Sequence, residues 1–155
     1  MASKWRRTED LANLGLWHGA RKENKVPHFI MEYSPNVETD IDIPALMQAI
    51  HREAIDTGVF PKGGIRTRAI KCDYYLVADE DPENRFIHLT AKVGVGRDME
   101  TLKNAAQRVF DVYCEFLSEA FEKHYLSIGF EMVELHPQLN FKKNNIHQKL
   151  AQASQ

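Results

Sequence analysis

Pro27 opens the run Pro27-His28-Phe29-Ile30-Met31-Glu32, and its chemistry depends on what precedes it. At an amino terminus, proline carries a secondary amine that can take up a proton and return it elsewhere. Inside a chain it carries an amide, with no N–H and no basic lone pair. Three arginines further on, Arg66, Arg68 and Arg97, supply guanidinium groups that hold carboxylates through paired hydrogen bonds and stay charged at any relevant pH. Arg66 and Arg68 lie two apart in a predicted strand and so project from one face. Arg97 directly follows Gly94-Val95-Gly96, where the backbone can come close to a ligand. Plainer roles stay open for all four: a proline that merely opens an edge strand, and arginines that are solvated or ion-paired surface charges.

Other reactive residue types point nowhere in particular. His28, His88, His124, His136 and His147 show no zinc-type spacing, so no metal is expected. Gly94-Val95-Gly96 lacks the third glycine of a dinucleotide fingerprint, so no cofactor is expected either. Cys72 and Cys114 are too few for a disulfide framework and read as reduced thiols of a cytoplasmic protein.

The elements that must position these residues fit one domain of 155 residues. A net charge of −2 gives no reason to expect nucleic acid or a membrane as partner, and no apolar run is long enough to span a bilayer. Residues 1–26 differ in kind. Six basic residues there face three acidic ones, and Gly15 and Gly19 interrupt any helix. This stretch is expected to be a disordered extension, or no part of the natural protein, with residues 27–155 forming the domain.

From Pro27 onward the pattern is regular. A strand from Pro27 to Tyr33 leads to Asp42, an N-cap, and to a helix with Leu46, Met47, Ile50, Ala54 and Ile55 on one face, stopped by Gly58. Gly63-Gly64 precedes a strand from Ile65 to Lys71, with a possible extension over Tyr74 to Val77. A strand from Phe86 to Val95 follows. Asp98 then caps a long helix with Met99, Leu102, Ala106, Val109, Phe110, Tyr113, Phe116, Leu117 and Phe121 on its apolar face. Leu126 to Leu135 is the last strand. The order is two β-α-β units, predicting an α/β (α+β) subunit with a four-stranded sheet and two helices on one face. The other face carries apolar positions that a neighbouring subunit would cover. His136 to Leu150 reads as a polar arm laid across a partner.

Five motifs occur in order: Pro27-His28-Phe29-Ile30, Thr57-Gly58-Val59-Phe60-Pro61, Gly64-Ile65-Arg66-Thr67-Arg68, Gly94-Val95-Gly96-Arg97, and the stretch from Glu134-Leu135-His136-Pro137 to Phe141-Lys142-Lys143-Asn144-Asn145. Together they resemble the 5-carboxymethyl-2-hydroxymuconate isomerase family of the tautomerase superfamily over essentially all of residues 27–150. The resemblance implies a cofactor-free isomerase in the bacterial breakdown of homoprotocatechuate, an aromatic compound. It implies a homotrimer of double β-α-β subunits that converts a small polycarboxylate dienol to its keto isomer. Pro27 would be the acid/base, with Arg66, Arg97 and Arg68 binding substrate. Family members begin at the residue matching Pro27, whereas here 26 residues precede it; Val26 as a GTG start codon would account for the difference. Two other functions remain open: a tautomerase of another unsaturated 2-hydroxy or 2-oxo acid, and, if the extension is retained, a non-catalytic trimeric ligand-binding module.

Overall fold

A computed structural model describes residues 26–154. The expectation for residues 1–26 therefore lies, Val26 apart, outside the described residues. Strand β1 (His28–Tyr33) is followed by a 3₁₀ turn at Pro35–Thr39 and helix α1 (Ile43–Asp56). The Asp42 carboxylate accepts the Ala45 N–H at 3.0 Å, with Pro44 in the first turn. The helix stops before Gly58, which takes a φ of +67° that a side chain would resist. A second 3₁₀ turn, Lys62–Gly64, leads into β2 (Arg66–Lys71).

The plan then repeats with β3 (Arg85–Gly94), α2 (Met99–Lys123) and β4 (Leu126–Leu135). Asp98 caps α2 by accepting the Thr101 N–H at 2.8 Å. Strand order is β2-β1-β3-β4. β1 and β2 run parallel, β3 and β4 run parallel, and β1 meets β3 antiparallel. Two β-α-β units thus lie side by side, joined through their first strands.

Alternation along the strands sorts the side chains by face. Phe29, Met31, Ile87, Leu89, Ala91 and Val93 are fully buried beneath the helices. They meet Leu46, Ile50 and Ala54 of α1 and Leu102, Val109, Tyr113 and Leu117 of α2. Each such apolar side chain contributes about 1.5–3 kcal/mol on removal from water. The opposite face presents His28, Ile30 and Glu32 from β1 and Arg66, Arg68 and Ile70 from β2, all partly or largely exposed.

Three expectations need correction. Tyr74 to Val77 does not extend β2. The Cys72 N–H closes the strand on the Tyr33 carbonyl at 2.9 Å, and Tyr74 and Leu76 then point to solvent. β2 itself begins at Arg66, because Ile65 closes the preceding turn with its N–H on the Lys62 carbonyl. Two helices are also one too few. The closing segment folds into a third, α3 (Ile146–Ala153), which packs on the Lys62–Gly64 turn of its own chain. Asn144 and His147, rather than an apolar stripe, secure it there.

Candidate active site

Pro27 sits at the mouth of β1, fully buried, and its carbonyl accepts the Arg66 N–H at 3.1 Å. That bond continues the β1–β2 ladder, in which His28 faces Arg66 and Ile30 faces Arg68. Val26, immediately before Pro27, is 4% exposed. Its side chain fills the space beside Gly64, where an added Cβ would lie 2.9 Å from Val26 Cγ2. The glycine is needed for that close approach. While the Val26–Pro27 peptide bond is present, the Pro27 nitrogen is an amide and Val26 occupies the ground next to it.

Arg66 is half-buried, and its Nη1 donates to the Gly64 carbonyl at 2.7 Å. The same turn that receives Val26 therefore aims this guanidinium. Arg68 stands further out on the same face, exposed, with Nη1 donating to His28 Nδ1 at 3.3 Å. An imidazole that accepts at Nδ1 is neutral. Burial first, then Arg68, Arg66, Lys142 and Lys92, lower the His28 pKa below its ordinary value, in keeping with that state.

Arg97 arrives from the other β-α-β unit. Gly96, with φ +102°, makes the turn out of β3 that a side chain would obstruct. Arg97 Nε then donates to the Val59 carbonyl at 3.0 Å and Nη1 to the Gly94 carbonyl at 3.1 Å. The guanidinium lies 5.0 Å from the centre of the Phe60 ring, a favourable cation–π arrangement. Phe60 in turn meets Phe29 edge-on at 6.0 Å. Thr57-Gly58-Val59-Phe60-Pro61 thus acts as a bracket for Arg97, a purpose its sequence does not disclose. Burial lowers the Arg97 pKa, and the Glu134 carboxylate acts in the opposite direction.

One cation of this end went unassigned in the sequence. Lys142 belongs to the closing segment, which Asn144 ties down by donating to the Gly63 carbonyl at 3.1 Å. Partial desolvation, then Arg66 and Arg97, lower its pKa. Arg66, Arg97 and Lys142 of one chain therefore share a common electrostatic neighbourhood. Lys142 was visible only as a letter in the fifth motif; nothing in its local sequence places it near Arg66.

The opposite end of the sheet is built differently. A cavity of about 630 Å³ there is lined by Arg85, His124 and Tyr125 among others. Its charges are paired: Arg85 Nη1 and His124 Nε2 both meet Asp40 Oδ2, at 2.8 and 2.9 Å. The Thr39 hydroxyl and Arg85 hold the Asp40 carboxyl down at about 2. Among the described residues no three metal-ligating side chains converge, and no helix is long and apolar enough to cross a membrane.

Comparison with known proteins agrees with this geometry. The family model described as 5-carboxymethyl-2-hydroxymuconate isomerase matches residues 27–150. The chain belongs to the 5-carboxymethyl-2-hydroxymuconate isomerase family. A 5-carboxymethyl-2-hydroxymuconate Delta-isomerase of Escherichia coli is 37% identical over 122 residues, covering 79% of this chain and 97% of its own. A 5-carboxymethyl-2-hydroxymuconate isomerase structure from Deinococcus radiodurans R1 superposes with a TM-score of 0.77 at 32% identity, covering 82% of this chain and 96% of its own. A further 5-carboxymethyl-2-hydroxymuconate delta-isomerase structure, at 21% identity, shares the fold with a TM-score of 0.76 over 82% of this chain and 94% of its own. The isomerase family match begins at the buried proline and runs through the bracket, the glycine turn and the closing segment.

Proposed function

We propose that this chain isomerises 5-carboxymethyl-2-hydroxymuconate to its conjugated keto form, without a cofactor, in the cytoplasmic breakdown of homoprotocatechuate, with Pro27 as the proton carrier. The placement of Pro27 carries the reading: a buried strand-opening proline bonded to Arg66, at the end of the sheet where Arg97 and Lys142 also gather. The Pro27 nitrogen takes the proton of the 2-hydroxyl, and C2–O becomes a carbonyl. The double bonds C2=C3 and C4=C5 collapse to C3=C4, and C5 receives the proton. Every atom is conserved, so no oxidant or second substrate is needed.

The chemistry requires Pro27 to be the first residue of the active polypeptide. Residues 1–26 are on this reading absent from the working enzyme, and residues 27–155 are the isomerase domain. Loss of Val26 would turn the amide into a secondary amine and vacate the space beside Gly64. An α-amine titrates at about 7.7–8.0. Burial and nearby cations, the two influences that already lower His28 and Lys142, would lower the amine likewise. A substantially neutral base near pH 7 would result.

Arg66 and Arg97 bind the substrate carboxylates and stabilise the dienolate. Arg68, exposed and engaged with His28, has the weaker claim. Three subunits are proposed to assemble through the open sheet face, where Ile70 and Val133 are 44% and 42% exposed. One observation favours a second reading: Val26 is bonded and buried, and a chain that keeps it would be a ligand-binding module rather than a catalyst.

The test is a direct ultraviolet assay of a chain beginning at Pro27 against a panel of unsaturated 2-hydroxy and 2-oxo acids. Fastest turnover is expected with 5-carboxymethyl-2-hydroxymuconate. Faster turnover of another panel member would reassign the substrate, and no turnover of any would favour the binding module.

A further inference from the structure

Arg66, Arg97 and Lys142 form a concentration of like charge that the chain itself does little to neutralise. Among the described residues Lys142 has no ion-pair partner, and Glu134 is the one carboxylate felt by Arg97. Holding such cations together costs energy unless an anion of matching charge joins them. The chain nevertheless goes to some length to bring Lys142 there. After β4 ends at Leu135, the backbone returns to the Lys62–Gly64 turn. There Asn144 donates to the Gly63 carbonyl, and the Ile146 N–H donates back to Asn144 Oδ1 at 2.8 Å. The His147 ring lies so close over Gly63 that a Cβ would come within 2.7 Å of it. Lys142 stands two residues ahead of this anchor.

We propose that Lys142 is the third carboxylate-binding cation of the site and takes the carboxymethyl arm of the substrate, so that the docked closing segment selects tricarboxylate over dicarboxylate dienols. This deepens the function proposed above and rests on it. The division of labour follows from the shapes involved. Two substrate carboxylates are conjugated with the diene and held near its plane, which suits the fixed planar forks of Arg66 and Arg97. The third sits on a saturated carbon and swings. A compact charge on a flexible four-carbon stem can follow it, where a guanidinium fork could not keep its geometry.

The experiment compares the unmodified chain with Lys142→Gln and Lys142→Arg, each beginning at Pro27, on 5-carboxymethyl-2-hydroxymuconate and on 2-hydroxymuconate, which lacks the arm. Lys142 is exposed, so folding is not at risk, and unchanged thermal unfolding checks this. With the tricarboxylate, Lys142→Gln is expected to lower kcat/KM about 10–100-fold, mostly through KM, the scale of one charge-assisted hydrogen bond. Lys142→Arg should recover most of the loss. With the dicarboxylate, the change should stay within about twofold. Equal losses on both substrates, or none on the tricarboxylate, would overturn the proposal. Calorimetric binding of tricarballylate against glutarate separates the two claims. If the unmodified chain turns over neither dienol, the proposed reaction fails. Loss of the tricarballylate preference in Lys142→Gln would then still support the role of Lys142, and a retained preference would refute it.

Discussion

Alanine at position 27, in a chain that begins there, is expected to lower kcat about 10²-fold while leaving the fold intact. A positioned proton carrier contributes about 10²–10⁴-fold, and the lower end applies because alanine still offers a primary amine at the same place. The loss has two sources: a primary amine is less basic than the prolyl amine, and the ring no longer fixes φ at the mouth of β1. KM should move little, since the arginines are untouched. Parallel pH–rate profiles of the two proteins check the assignment. The basic limb of kcat/KM should shift with the amine that replaces proline, whereas a shared profile would place the proton elsewhere.

Arg97→Ala is expected to lower kcat/KM by about 10²–10³-fold, the usual cost of removing one preorganised stabiliser of developing negative charge. The guanidinium is unusually well fixed, between the Val59 and Gly94 carbonyls and over the Phe60 ring. It therefore needs no reorganisation when charge appears on the substrate. Arg97→Lys should rescue only a small part. An ammonium keeps the charge but cannot meet both carbonyls and lie flat on the ring. Steady-state kinetics with both variants decides the matter: a loss confined to KM would mean that Arg97 binds substrate and transition state alike. Two carbonyls also lose donors, so unfolding should be easier by about 1 kcal/mol, measurable by urea denaturation.

Most of the fold was legible because its signals are local. Asp42 and Asp98 announce helix starts through their own side chains, and Gly58 announces a stop through its backbone. The alternation along β3 separates the faces without reference to anything distant. The stripe on α2 was legible at its centre and not at its ends. Met99 and Phe121 share the apolar period yet are 72% and 57% exposed, since the helix outruns the sheet it covers. Helix α3 was hidden because none of its residues is buried; it forms where Asn144 and His147 find Gly63, a contact across some eighty positions.

The site divides the same way. Arg66 and Arg97 stood beside glycines that mark special backbone, so the sequence pointed to them. Lys142 is placed by the return of a distant segment, and the bracket of Val59 and Phe60 around Arg97 joins two halves of the chain. Neither leaves a periodic trace. The packing of Val26 against Gly64 is likewise a tertiary contact, and it bears most directly on whether the proposed base exists.

The most direct test is paired turnover by two chains that differ by one residue, one beginning at Pro27 and one at Val26, each verified by intact mass. Turnover of 5-carboxymethyl-2-hydroxymuconate by the Pro27-first chain, with a fall of at least about 10²-fold when Val26 is kept, is the expected result. Equal turnover by both, with Val26 confirmed in place, would show that the proton travels on some group other than the Pro27 nitrogen.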